Sequence, residues 1–133
     1  MQSKNYFKSV IKDRASERTN NSSIELAKRE VETIFFLLDK FFGKKFESSN
    51  YKVVEIGCGD GYLKNFFEDR NFLYKGYDID EVDIEKDPIK LDDNSVDLVI
   101  NIGLIEALKN TENLISESKR ILKKGGYFYT LTP

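Results

Sequence analysis

Three glycines at alternating positions follow an apolar run that carries one acid: Val53-Val54-Glu55-Ile56-Gly57-Cys58-Gly59-Asp60-Gly61. Glycine has no Cβ, so the main chain at Gly57, Gly59 and Gly61 can take positive φ and let a ligand come close to its N–H and C=O groups. Apolar residues at 62/63 and 66/67 then predict a helix over 61–70, with Asp60 as its N-cap. A glycine turn between a strand and a helix is a nucleotide-type site. The dinucleotide fingerprint fits poorly, because the third glycine comes one residue early and Tyr62 fills its place. Glu55 and Asp60 flank the turn, and a carboxylate about 6 Å from a phosphate costs about 3 kcal/mol at an effective dielectric of about 20. The charge pattern therefore disfavours a pyrophosphate and admits a cation. Asp78 follows Glu55 by 23 residues, near the separation expected for an acid at the tip of the next strand of a βαβ unit.

Other groups that could do chemistry have plainer readings. Cys58 reads as a small buried loop residue, since a nucleophilic thiol needs a neighbouring base and none is indicated. The acids Asp78, Asp80, Glu81, Asp83, Glu85 and Asp87 miss the EF-hand pattern, because Val82 and Asp83 stand where it needs Asp or Asn and then Gly. No metal is expected there, and most of the run reads as solvated loop.

The pattern Glu55-x-Gly57-x-Gly59-x-Gly61 resembles the first motif of the class I S-adenosylmethionine-dependent methyltransferases, whose cofactor carries a sulfonium and an ammonium. The resemblance runs in register over residues 51–133. Leu73-Tyr74-Lys75-Gly76-Tyr77-Asp78-Ile79-Asp80 is similar to the family's second strand and the acid that binds both ribose hydroxyls. Asp78 matches that acid, and such charge-assisted bonds are worth about 1.5–3 kcal/mol each. By the same resemblance Ile79 lies on one face of the adenine and Asp83 receives its amino group. Asn101, at the tip of the fourth strand, holds the cofactor's amino group through its backbone carbonyl. In Leu104-Ile105-Glu106-Ala107, Glu106 matches a family acid and Ala107 replaces a frequent histidine. Arg120-Ile121-Leu122-Lys123-Lys124-Gly125-Gly126 matches the stretch before the fifth strand. The implied cofactor-binding set is Glu55, Gly57, Cys58, Gly59, Asp78, Ile79, Asp83 and Asn101. No catalytic residue is assigned; if the acceptor is a hydroxyl, Glu106 is the one candidate base. The implied reaction moves a methyl group from S-adenosylmethionine to a small-molecule or sugar acceptor, leaving S-adenosylhomocysteine. A cofactor-binding but inactive or partner-dependent module, and an aminopropyl transferase, are the alternatives.

These residues need a scaffold. The resemblance implies a three-layer, Rossmann-like α/β domain with a mainly parallel sheet ordered (3)-2-1-4-5. Residues 1–50 would be a helical lid or cap, and 51–133 the cofactor-binding core of one domain. Only Ile79 to Val82 separate Asp78 from Asp83, so the second crossover helix is absent and the third strand is vestigial or a turn. The family's last strand pair is also expected to be missing after Leu131-Thr132-Pro133. That would leave the fifth strand as an open edge, covered by a second copy, a partner chain or the N-terminal helices. Tyr127, Phe128, Tyr129 and Leu131 read as sheet core. A helix over 110–124 should be capped by Asn110 or Thr111 and ended by Gly125.

Upstream, Ser22-Ser23-Ile24-Glu25 reads as a capping box for a helix whose face carries Ile24, Ala27, Val31, Ile34/Phe35, Leu38 and Phe41/Phe42, ended by Gly43. Tyr6, Phe7, Val10 and Ile11 beside Lys4, Lys8 and Lys12 suggest a short amphipathic helix. The resemblance would let Arg14 or Arg18 meet the methionine carboxylate. The 133 residues are 40% hydrophobic and 13% aromatic, which suits one core. A net charge of −2 with no histidine leaves no basic field for nucleic acid and removes the commonest general base. One cysteine, no run of ~20 apolar residues and no signal peptide lead to a cytoplasmic expectation, away from membranes.

Overall fold

The computed structural model describes residues 20–47 and 50–132. The stripe at Tyr6, Phe7, Val10 and Ile11, together with Arg14 and Arg18, lies outside them, as do Ser48, Ser49 and Pro133. A helix α1 (Asn20–Phe42) leads into β1 (Lys52–Ile56), α2 (Lys64–Glu68) and β2 (Leu73–Tyr77). Then come β3 (Val96–Ile102), a 3-10 turn (Ile105–Ala107), α3 (Glu112–Ile121) and β4 (Leu122–Leu131). All pairings are parallel, in the order β2-β1-β3-β4. This is the expected 2-1-4-5 arrangement, with no third strand among the described residues.

Both central strands are buried on two faces, as near-continuous apolar runs require. Leu98, Val99, Ile100 and Asn101 have no exposed surface. On one face Val53, Leu98 and Ile100 pack under Ala27, Val31, Ile34 and Leu38 of α1 and Phe67 of α2. Phe35, Phe46, Phe67 and Phe72 close this layer edge to face or tilted, with centroids 5.0–5.9 Å apart. On the other face Val54, Ile56 and Val99 meet Leu114 and Ile121 of α3.

That second face also holds Val82, Ile84 and Ile89, with Leu91 packed against them. The acidic run is therefore not a solvated loop. Its apolar residues interleave with the acids, and each buried Val or Ile contributes about 1.5–3 kcal/mol, so the segment fills the space left by the absent crossover helix. Having no ladder, its backbone must find other partners, and α3 supplies them. The Asn113 amide donates to the carbonyls of Ile84 and Asp87, both at 2.8 Å. The Arg120 guanidinium donates to those of Ile89 and Leu91, both at 2.7 Å, and to Asp93 at 2.8 Å. Glu117 accepts the Ile89 N–H at 2.7 Å and pairs with Arg120 at 2.9 Å. Hydrogen bonding from Arg120 holds the Glu117 carboxyl below its ordinary range.

Several local expectations are corrected. By Asn20 the chain is already helical, so Ser22 and Ser23 are helix interior and not a capping box. Gly43 does end α1, at φ 60 with its N–H on the Asp39 carbonyl at 2.9 Å, a left-handed cap. Ile24, Phe41 and Phe42 at the ends of the stripe are exposed. The second helix spans five residues, with Leu63 at the N-cap position and not Asp60. Positive φ at Gly59 and Gly61 keeps the chain out of helix until Lys64. In α3 the side chain of Asn110 caps, accepting the Glu112 N–H at 2.9 Å. Gly125 does not end that helix. Leu122 already pairs with Val96, the register then jumps so that Leu98 meets Tyr127, and Gly125 sits in the bulge at φ 83. A bulge needs such a residue. Finally, Tyr127 and Tyr129 pack on the α1 face, the former 5.2 Å from the Phe42 ring. Phe128 and Leu131, at 36% and 42% exposure, are not core: Phe128 lies on the opposite face of the edge strand from the half-buried Tyr127 and Tyr129, and Leu131 is the last residue of β4.

Candidate functional site

Pairing of β1 with β2 sets Ile56 beside Tyr77, so the glycine turn and the 78–82 turn leave the sheet side by side. The Gly57 and Cys58 N–H groups both donate to the Tyr77 carbonyl, at 2.7 and 3.2 Å. Gly57, Gly59 and Gly61 all have positive φ, at 78, 55 and 73°. A Cβ on Gly57 would lie 3.2 Å from Leu104 Cδ1, whereas one on Gly61 would meet nothing within 4 Å. The close approach at Gly57 is thus made by a protein side chain. Gly61 leaves its side of the turn open.

Ile56, Gly57, Tyr77, Asp78, Ile79, Val82, Ile84, Leu104 and Leu108 line a cleft at the carboxyl ends of β1 and β2. Its walls are apolar, and Asp78 is the one carboxylate among those lining residues. One oxygen of Asp78 accepts the Ile79 N–H at 2.8 Å; the other is free of hydrogen bonds from the described residues. A half-buried acid beside an apolar slot suits a sugar hydroxyl pair attached to a flat, weakly polar ring. Val82, Ile84, Leu104 and Leu108 were missed as site residues. The available signal was their apolar type next to the motif acids Asp83, Glu85 and Glu106.

The remaining expected residues are placed as follows. Asp83 is buried, but its carboxylate accepts the Glu85 N–H at 3.1 Å while its own N–H donates to Asp87 at 3.0 Å. It braces its own turn and is not among the side chains lining the cleft. Glu85 likewise braces, accepting the N–H groups of Lys109 and Asn110 at 3.0 and 2.8 Å. Asn101 stands one residue before the end of β3, with its Oδ1 accepting the Thr130 hydroxyl at 2.6 Å. Its Nδ2 has no partner among the described residues. Glu106 is exposed on the 3-10 turn and accepts the Thr132 hydroxyl at 3.2 Å.

Glu55 points to the other face of β1. It is 5% exposed and accepts the Tyr74 hydroxyl at 2.5 Å. Burial pushes its carboxyl up to about 8, against the lowering effect of that hydrogen bond. Burial, then the charges of Glu55, Asp78 and Glu81, push the Cys58 thiol up to about 12. A thiol so placed stays protonated, which removes it as a nucleophile. Among the described residues no group of three or more His, Cys, Asp or Glu is arranged to hold a metal ion, and no helix is long and apolar enough to cross a membrane.

Residues 25–133 match the family described as methyltransferase domain. A Mycolicibacterium smegmatis protein described as a probable S-adenosylmethionine-dependent methyltransferase is 35% identical over 96 residues, covering 61% of this chain and 37% of that protein. The PH0226 protein of Pyrococcus horikoshii superposes with a TM-score of 0.59 at 26% identity, over 76% of this chain and 55% of that one. A Haemonchus contortus phosphoethanolamine N-methyltransferase, solved with phosphoethanolamine and S-adenosylhomocysteine, superposes with a TM-score of 0.51 at 20% identity. It covers 96% of this chain and 31% of that one. The chain therefore spans about a third to a half of the length of these relatives.

Proposed function

This chain belongs to the methyltransferase-domain family, and from that premise we propose that it binds S-adenosylmethionine and serves methyl transfer to a small-molecule or sugar acceptor. One observation carries the reading: the β1–β2 register sets a positive-φ glycine turn against Asp78 at the mouth of an apolar slot. The bound cofactor would supply a methyl group on a sulfonium, reactive enough that alignment with the acceptor is the main requirement.

In this reading Asp78 accepts both ribose hydroxyls through its open oxygen and carboxylate edge. Ile79, Val82, Ile84, Leu104 and Leu108 sandwich the adenine, and Gly57, Cys58 and Gly59 present backbone to the aminoacyl end. The Asn101 carbonyl takes the ammonium from the β3 side, and Glu55 lies below the turn. Asp83 contributes by bracing the 83–87 turn that carries Val82 and Ile84. Holding donor and acceptor in line can lower a barrier by about 7–11 kcal/mol, so no dedicated base is required. For a hydroxyl acceptor, Glu106, on the 3-10 turn after β3, is the candidate base. The small amine acceptor of the phosphoethanolamine enzyme is an example of the class.

A second reading is favoured by the β4 edge, where Phe128 and Leu131 are exposed: a cofactor-binding module that acts once a second copy or partner chain covers that edge. A cytoplasmic setting fits either.

Calorimetry with S-adenosylmethionine and S-adenosylhomocysteine tests both. Each should bind, and Asp78→Ala should weaken binding at least tenfold in a variant that still unfolds cooperatively. Failure of both ligands to bind at millimolar concentration would end the proposal. Turnover over a panel of small amines, alcohols and sugars, read as S-adenosylhomocysteine formed, separates the active enzyme from the partner-dependent module.

A further inference from the structure

A second concave surface lies at the amino ends of β3 and β4, the opposite end of the sheet from Asp78. Ile115, Ser118 and Lys119 share one stripe of α3, and Leu122, just past the helix, continues it at the same spacing. Gly126 and Phe128 alternate along β4 and share one face, and Lys124 comes from the bulge before them. Between stripe and strand is a groove of about 480 Å³, within the range of small-molecule sites. Gly126 leaves it room, since a Cβ there would fall 3.0 Å from Leu122 Cδ2 and from the Lys123 carbonyl oxygen. Ile115 and Phe128 stand exposed in its apolar walls.

Two features of the groove call for a negatively charged occupant. Ser118 is buried, and its hydroxyl has no hydrogen-bond partner among the described residues. A buried hydroxyl left so is destabilising until a partner arrives. The groove also carries three exposed lysines. Lys123 is paired with Asp97 at 3.5 Å, whereas Lys119 and Lys124 make no hydrogen bond or ion pair with the described residues. The neighbouring Arg120 is already engaged by Glu117 and Asp93. Unpaired cations beside an apolar wall repel one another and attract an anion. A second copy seated face to face on this groove would be disfavoured, because a two-fold contact sets each lysine patch against its own like.

We propose that this groove binds a small carboxylate that carries an apolar tail or ring. The tail lies along Ile115, Leu122 and Phe128. The carboxylate meets the Lys119 and Lys124 ammonium groups and accepts from the Ser118 hydroxyl. One ligand thus covers the apolar walls, neutralises the unpaired charge and satisfies the buried hydroxyl. The site is separate from the cofactor slot and does not rest on the cofactor reading.

The probe is octanoate, with 1-octanol as the uncharged chain and acetate as the head alone, each titrated into the full chain by calorimetry and by amide shifts. Octanoate should saturate and shift amides over 115–128, leaving those of 57–61 and 78–82 in place. Octanol and acetate should each bind at least about tenfold more weakly, the first for want of charged hydrogen bonds and the second for want of buried methylenes. Lys119→Gln together with Lys124→Gln should weaken octanoate about tenfold and leave octanol as before. Ser118→Ala should also weaken octanoate, yet raise the denaturant midpoint of the ligand-free protein, since it removes an unsatisfied hydroxyl. A merely structural serine would lower that midpoint, and such a result would overturn the role given to Ser118. Octanol binding as tightly as octanoate, or octanoate affinity unmoved in the double lysine variant, would show a plain apolar patch and overturn the proposal. So would failure of octanoate to bind at millimolar concentration, or light scattering that shows a dimer whose 115–128 amides octanoate does not move.

Discussion

The cleft has two walls made in opposite ways. The glycine turn 57–61 is shaped mainly by its own backbone: positive φ at three glycines and the Gly61 N–H on the Cys58 carbonyl at 2.9 Å. The segment 82–93 is shaped from outside, by Asn113, Glu117 and Arg120 of α3 reaching its carbonyls and N–H groups. A turn of the first kind is specified by residues within it. One of the second kind is specified by a helix some thirty positions later. Damage should therefore be local in the first wall and propagate in the second.

The largest effect should come from Arg120→Ala, which strips the Ile89 and Leu91 carbonyls of a donor and leaves Glu117 without its charge partner. Arg120 is half-buried, and hydrogen bonds to charged groups are worth about 1.5–3 kcal/mol each, so the denaturant midpoint should fall accordingly. A loss below about 1 kcal/mol would mean that α3 does not hold the wall. Asn113→Ala should cost about 1–3 kcal/mol and speed amide exchange over 84–91, while leaving the 57–61 amides as protected as before.

On the side of the glycine turn, Glu55 sets a pH dependence. Its folded carboxyl lies near 8 against an ordinary 4.5, so between those values the native state binds more protons than the unfolded chain. Stability from this group is complete below about pH 4.5 and is lost as pH rises through 8, at up to about 1.4 kcal/mol per pH unit. Glu55→Gln should flatten that slope in a series of denaturant melts. The smallest effect should be that of Gly61→Ala, whose left-handed backbone costs about 1–2 kcal/mol in otherwise open space. Gly57→Ala should cost more, since Leu104 must also move. Equal losses at the two positions would show that Leu104 plays no part.

Much of this was legible because it is local. The turn and β1 follow from glycine spacing and an apolar run, β2 from the family resemblance, and Asp78 from that resemblance together with its distance to Glu55. Gly43 marks the end of α1 for the same reason. The corrections arose where a local signal lost to contacts made elsewhere. Ser22-Ser23 resembles a cap, yet the helix begins before it. Gly125 resembles a helix stop, yet strand pairing with β3 claims Leu122 first. The run 80–87 is polar enough to read as solvent-facing, but Val82, Ile84 and Ile89 are drawn onto the sheet and take Asp83 and Glu85 under cover with them.

The amino-acid sequence alone determined where the backbone can bend back on itself beside an acid, since φ preference and strand period reside in neighbouring residues. Packing in three dimensions decided what each acid became. Asp78 opens into the slot, Asp83 is spent on its own turn, and Glu55 shares a buried site with a tyrosine 19 positions away. A carboxyl group's chemistry depends on its access to water and on its partners, and both are supplied by residues distant in the chain.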